Sequence, residues 1–230
     1  VTFTNGSDEY VEFAMNRIEN GAWEYVYEGD HEGKYYTYVV TNSSYQNREV
    51  VDPYAKSTGI NGYRGMIVDF SKTNPEGWEN VVLHNIPSTS LTVYETHVAD
   101  VTSHASWGGT DAYAKLFKGL YETGTKYTSN GVTVTTGFDH IKELGVNAVQ
   151  LIPIYDQAND ERPNDDPTRT DGSVRAFNWG YNPLNYNALD GIYSSDPYDG
   201  YTKIKEFKEL VKAYNEAGIN IIMDVVYNHT

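Results

Sequence analysis

The chain has 230 residues and no Cys, with 32 acidic against 17 Lys and Arg side chains, a net charge of −15 and 21 Tyr. No run approaches the ~18 apolar residues of a membrane-spanning helix, and the scattered Lys and Arg offer no phosphate-backbone surface. Without Cys, a disulfide scaffold and thiolate metal or redox chemistry are excluded.

The first residues, VTFTNGSDEYVEF, have neither a basic start nor an apolar core. An export signal, if there is one, is therefore expected outside this chain. Residues 1–87 read as β structure: Trp23 to Tyr27 and Lys34 to Thr41 are rich in Tyr, Val and Thr and are bounded by Asn20-Gly21, Gly29-Asp30 and Glu32-Gly33. Pro53, Gly59, Gly62, Gly65, Pro75 and Gly77 punctuate an irregular stretch ending near Pro87, the expected domain boundary. A β-sandwich fragment is the expectation for 1–87, with Trp23 in its core.

Three apolar strands follow, at 91–98 (LTVYETHV), 147–154 (NAVQLIPI) and 219–226 (INIIMDVV). Runs of this kind suit parallel strands buried on both faces. Between the first two, Gly137 to Leu144 reads as a helix, with Thr136 and Asp139 as a capping box and Gly145 as the stop. Between the second and third, Ile204, Phe207, Leu210, Val211 and Tyr214 recur at helical spacing from Tyr201 to Ala217. Strand, helix, strand, helix, strand is the β/α order of an open wound sheet or a closed (β/α)8 barrel. After His97 comes VADVTSH, with no G-x-G-x-x-G and no Walker pattern, so the barrel is preferred. A whole barrel takes about 250 residues, so 88–230 is expected to be its N-terminal part.

Barrel chemistry gathers after the C-terminal ends of strands. The first end is followed by Asp100, Thr102 and His104, and the third by Asp224, Asn228 and His229. After the second lies a long loop, Tyr155 to Asp199, far beyond the usual two to six residues. It carries Asp156, Asp160, Glu161, Asp165, Asp166 and Asp171, then the aromatic block FNWGYNPLNY at 177–186.

DVVYNHT (224–230) resembles the first conserved region of glycoside hydrolase family 13, the α-amylase family. FNWGYNP (177–183) resembles the Tyr-Asn-Trp-Gly-Tyr-Asn-Pro signature of its type I pullulanases, departing only at Phe177, and residues 49–78 resemble the end of the starch-binding-module-like sandwich of debranching members. The resemblance implies an α/β chain comprising the remainder of that carbohydrate-binding-module-like sandwich (1–87) and the first three strands of a TIM barrel (88–230), truncated at both ends. It implies hydrolysis of α-1,6 bonds in pullulan, branched starch or glycogen with retention. A secreted or cell-surface bacterial protein is expected, whose partners are the α-glucan and the rest of its own chain, with no nucleic acid and no membrane span.

By the same resemblance Tyr181 stacks on the glucosyl ring at the cleavage subsite, Asn182 belongs to the substrate-binding block, His229 hydrogen-bonds the same ring, and Asp224 supports the third strand end. Asn228 matches a Ca²⁺ ligand of many amylases. A pyranose has an apolar face that suits an aromatic ring and a rim that needs donors and acceptors. The catalytic nucleophile and general acid belong to later strands, expected beyond Thr230. None is therefore assigned in this chain, and Asp100, Asp156 and Asp224 are not put in their place. His97 reads as a satisfied barrel residue, Trp179 as an anchor of the long loop, and the acids of 156–171 as a solvated face. A non-catalytic glucan-binding fragment and an α-1,4-acting amylase of the same family are the alternatives.

Overall fold

The computed structural model describes residues 2–4, 9–170 and 175–228. Its first part contains β1 (Thr2–Thr4), β2 (Tyr10–Glu12), β3 (Asn16–Arg17), β4 (Trp23–Glu24), β5 (Tyr35–Val40), β6 (Arg48–Val50) and β7 (Gly65–Met66). Five of these make one antiparallel sheet ordered β2–β1–β5–β6, with β7 also on β5, while β3 and β4 form a separate ribbon. The aromatic and β-branched run YYTYVV forms β5, as its composition predicts. Trp23 departs from expectation: it is 60% exposed. Among the described residues the β3–β4 ribbon that carries it pairs only with itself, and its two-residue strands leave the indole at the edge.

The second part contains β8 (Val93–Thr96), α1 (Phe117–Leu120), β9 (Lys126–Ser129), β10 (Val132–Thr135), α2 (Gly137–Glu143), β11 (Ala148–Leu151), β12 (Tyr155–Gln157), β13 (Pro183–Leu189), α3 (Gly200–Glu216) and β14 (Asn220–Met223). A parallel sheet is ordered β14–β11–β8, with Ala148 level with Val93 and Asn220. Only the central strand meets the expectation of burial on both faces: Ala148, Val149 and Leu151 are sealed, whereas Val93 and Tyr94 stay partly in solvent. Among the described residues β8 and β14 each pair on one side only, which leaves their outer flanks uncovered. The hairpin β9–β10, turned by Asn130 and Gly131 at positive φ, is an addition to the expected elements.

Helix α2 ends at Gly145, at φ +71°, as the sequence suggests. Its predicted capping box is not made. The Thr136 hydroxyl donates to the Trp107 carbonyl and Asp139 accepts from Gly124 N, so tertiary partners have taken both side chains. Helix α3 has a true N-cap: Asp199 accepts from the backbone N–H of Tyr201 and Thr202. Its Ile204, Leu210 and Tyr214 are buried, and Leu210 and Tyr214 join Val98, Phe117, Phe138, Ile141, Val149 and Leu151 in one apolar core.

The N-terminal half of α3 is covered by a second set of contacts as well. Lys203 and Glu206 are buried, and the N-terminal part packs along this helix: Ser57 donates to Gly200 O at 2.9 Å, Lys203 Nζ to Thr58 Oγ1 at 2.9 Å, and Lys208 Nζ to Thr73 Oγ1 at 2.6 Å. The long excursion after β11 is also less open than its length suggests. Its legs β12 and β13 pair antiparallel, with register irregularities on both sides of Asp156. No helix among the described residues is long and apolar enough to cross a membrane.

Candidate functional site

Because β8, β11 and β14 are parallel, their C-terminal ends lie at one edge, and residues 177–182 run across it. The Phe177 ring lies 4.8 Å from that of His97. His97 Nε2 donates to Asn178 O at 2.9 Å while Nδ1 accepts from Ala99 N at 3.0 Å, which assigns the neutral Nε2–H tautomer. Burial, opposed by the Asn178 hydrogen bond, pushes its pKa below the ordinary histidine value. Asn178 Oδ1 then accepts from Gly180 N at 3.0 Å. Gly180 has φ +91° and passes so close to the end of β11 that a Cβ would sit 2.4 Å from Pro153 O. Only glycine meets both demands.

That turn delivers Tyr181 to Asp224. The phenol donates to Asp224 Oδ2 at 2.6 Å, and Asp224 N donates to Leu151 O at 3.0 Å, so the carboxylate is fixed to the neighbouring strand. The Asp224 hydrogen bond, and then burial, raise the Tyr181 pKa to about 12, which keeps it a donor at neutral pH. Its side chain is 37% exposed, leaving ring surface open to a ligand. Asn182 lies beside it, with Nδ2 donating to Ala158 O at 3.3 Å and Oδ1 accepting from Asn178 Nδ2 at 2.8 Å. The amide is thus engaged in holding the block's shape. Nearby, the rings of Tyr155, Tyr186 and Tyr227 stack in series, and Tyr155 OH accepts from Val226 N at 2.9 Å.

The structure therefore brings Tyr181, Asn182 and Asp224 together, with exposed Asn228 at the same strand end. His229 and Thr230 lie outside the described residues, as does Asp171. The contact expected of His229 and the placement of the nucleophile and general acid beyond Thr230 therefore fall outside them too. Trp179 does not anchor the loop: it is 64% exposed, and its neighbours Asn178 and Gly180 make the anchoring contacts. His97 has the structural role expected of it. Asp100 and His104 are exposed, and Thr102 is buried with its hydroxyl accepting from Lys115 N.

A second constellation is not apparent in the sequence. Asp156, Glu161 and Asp190 are each 0% exposed, and one oxygen from each lies within 4.8 Å of the others. This corrects the solvated reading of 156–171 for two of its acids. Asp156 Oδ2 accepts from Thr58 Oγ1 and Asn185 Nδ2, both at 2.8 Å, and Glu161 accepts from Asn61 N and Gly191 N. Burial, then the Glu161 charge, raise the Asp156 pKa to about 6, and burial with the same repulsion puts Asp190 well above the usual carboxylate range. Such a group of oxygens could hold a metal ion. Asp160 instead pairs with Arg162 and Arg169 at 2.7 and 3.2 Å, and the Arg162 hydrogen bond holds its pKa down at about 2. The partners that bury these acids, Thr58, Asn61 and Gly62, come from the N-terminal part, so no local signal could have found them.

Residues 68–230 match the "Alpha amylase, catalytic domain" family. The chain is 34% identical over 223 residues to the pullulanase of Bacillus subtilis (strain 168), covering 94% of this chain and 28% of that protein. It is 32% identical over 193 residues to the chloroplastic isoamylase 3 of Oryza sativa subsp. japonica, covering 79% of this chain and 22% of that protein. A crystal structure of a Paenibacillus barengoltzii pullulanase, in complex with maltohexaose and alpha-cyclodextrin, superposes with TM-score 0.86 at 41% identity, over 99% of this chain and 34% of that one. This chain thus spans about a fifth to a third of the length of these relatives. It has the α-amylase-family fold over its matched region and belongs to the α-amylase family, glycoside hydrolase family 13.

Proposed function

We propose that residues 1–230 are part of an α-glucan debranching glycoside hydrolase that cleaves α-1,6-glucosidic bonds in pullulan and branched starch or glycogen with retention. In this reading 1–87 is the remainder of a starch-binding-module-like sandwich and 88–230 the beginning of a (β/α)8 barrel. The observation that carries it is the Tyr181–Asp224 pair, set at the parallel strand ends with the ring open to solvent. Tyr181 offers its face to a glucosyl ring, and Asp224 holds that face in position. His229, two residues past Tyr227 in the sequence, supplies hydrogen bonds to the sugar rim in this reading. Asn228 would contribute to a Ca²⁺ site by the family pattern. Support for the substrate comes from relatives named as pullulanases, one of them solved with maltohexaose.

Retaining hydrolysis needs two carboxyl groups about 5–5.5 Å apart beside the scissile bond, one as nucleophile and one as acid. The trio at 156, 161 and 190 has suitable spacing but is sealed from solvent, so it is not that pair. Asp224 is committed to Tyr181. In this reading the nucleophile and general acid stand on later strands, beyond Thr230, in a protein that is secreted or carried at the cell surface. Product analysis of pullulan digested by the full-length protein tests the assignment: maltotriose is expected, and panose or isopanose from α-1,4 cleavage would defeat it.

A further inference from the structure

We propose that His97 is a positioning residue with a pH-dependent hold: its neutral ring fixes the turn at 177–182 that presents Tyr181, and a proton on that ring releases the turn. The proposal rests on the reading of Tyr181 as a sugar platform and deepens it. His97 stands just past β8 and is 6% exposed. Both of its ring nitrogens are committed. Nε2–H donates to Asn178 O, with the Tyr193 hydroxyl 3.1 Å from the same nitrogen, and Nδ1 accepts from Ala99 N. The Tyr193 ring meets the imidazole edge-on at 5.6 Å, and the Phe177 ring packs on it at 4.8 Å.

A protonated imidazole has two donors and no acceptor. A proton on Nδ1 would face the Ala99 N–H, donor against donor, so the ring cannot take up charge and keep this geometry. It must turn, and the Asn178 carbonyl then loses its donor. Room for that movement lies beside the ring, in a cavity of about 500 Å³ whose lining includes His97, Asp100, Lys115, Arg175 and Phe177.

Asn178 is the residue on which the turn is built. While its carbonyl takes the His97 bond, its Oδ1 accepts from Gly180 N at 3.0 Å and its Nδ2 donates to Asn182 Oδ1 at 2.8 Å. Asn182 O in turn accepts from Ala158 N at 3.0 Å. The far end of the turn is thus held by residue 158 and the near end by His97. Tyr181 lies between those ends, so slack at Asn178 passes to its ring and to its bond with Asp224.

The groups that face the imidazole are Asp100 on its own turn, Tyr193 from the segment before α3, and Lys115 and Arg175, which line the same cavity. Burial is the strongest influence on the ring and disfavours its charged form, while the Asn178 bond and Asp100 favour it. Lys115 and Arg175 oppose a further positive charge. The hold is therefore complete at neutral pH and is lost as pH falls through a folded pKa below the ordinary value of about 6.5.

The test uses the full-length protein from about pH 7.5 to 5, a range that brackets the ordinary histidine pKa. Trp179 sits inside the turn and is 64% exposed, so the fluorescence of wild type minus that of Trp179→Phe reports on the turn without any substrate. That difference should show a one-proton transition below about pH 6.5, absent when both proteins also carry His97→Gln. The acid limb of kcat/KM on pullulan should move to lower pH in His97→Gln, which keeps an N–H for Asn178 O but cannot titrate. His97→Phe has no such donor and should lose about fivefold in kcat/KM at every pH, with His97→Gln closer to wild type at neutral pH. His97→Asn replaces His97→Gln if the latter does not fold. A fluorescence difference that does not change over this range in wild type, or a transition and acid limb that persist in the Gln or Asn variant, would overturn the proposal. A fluorescence transition that depends on His97, in a protein that releases no maltotriose from pullulan, would defeat the debranching assignment and leave the His97 hold standing.

Discussion

Replacing Tyr181 by Phe keeps the aromatic face and removes one hydrogen bond, so it measures what positioning alone contributes. The lost bond runs 2.6 Å to a carboxylate, the short end of charge-assisted O–H···O geometry. Hydrogen bonds to charged groups contribute about 1.5–3 kcal/mol, and partial exposure of both partners places this one at about 1.5 kcal/mol. If the sugar needs the ring held in place, Tyr181→Phe lowers kcat/KM on pullulan about tenfold. Asp224→Ala should cost about as much, since it frees the same ring, and the double variant little more than either. Kinetics of the full-length protein, normalised to folded active sites, would give a coupling energy of about 1 kcal/mol or above. Additive losses, or an unchanged kcat/KM in Tyr181→Phe, would refute the argument that Asp224 acts through Tyr181.

Gly180→Ala should cost more on kcat/KM than Tyr181→Phe, because a Cβ at φ +91° that meets Pro153 O must move the whole turn; circular dichroism with parallel kinetics checks that the fold survives. For His97, the folded pKa lies below the unfolded value of about 6.5, so the unfolded state takes up the proton first and stability falls as pH drops from about 6.5 toward the folded pKa. Urea titrations between about pH 7.5 and 5 should show this slope reduced in His97→Gln. Asp199→Ala removes the α3 N-cap and should lower stability by about 1 kcal/mol, with Asp199→Asn close to neutral, both read from Tm.

The elements that could be read from the sequence are those whose signals are local. Val149 and Leu151 sit in a continuous apolar run, Leu210 and Tyr214 keep helical spacing, and Gly145 stops α2 at positive φ without help from elsewhere. Tyr181 and Asp224 are within reach of the sequence because each lies in a compact motif, although their hydrogen bond joins residues 43 apart. The fate of Asp156 and Glu161 is not local at all. Their hydrogen bonds to Thr58 and Asn61 span 98 and 100 residues, so acids that look solvated in a polar loop become sealed carboxylates at the junction of the two parts. Thr136 teaches the same lesson: its hydroxyl suits a helix cap, but the Trp107 carbonyl competes for it successfully.

A crystal structure of the full-length protein with maltotriose would test the account at its centre. It should show a glucosyl ring lying face-on against Tyr181, with the phenol still donating to Asp224 and His229 within hydrogen-bond reach of a sugar hydroxyl. A sugar bound in the active cleft with Tyr181 turned away from it, or with the Tyr181–Asp224 bond broken, would contradict it.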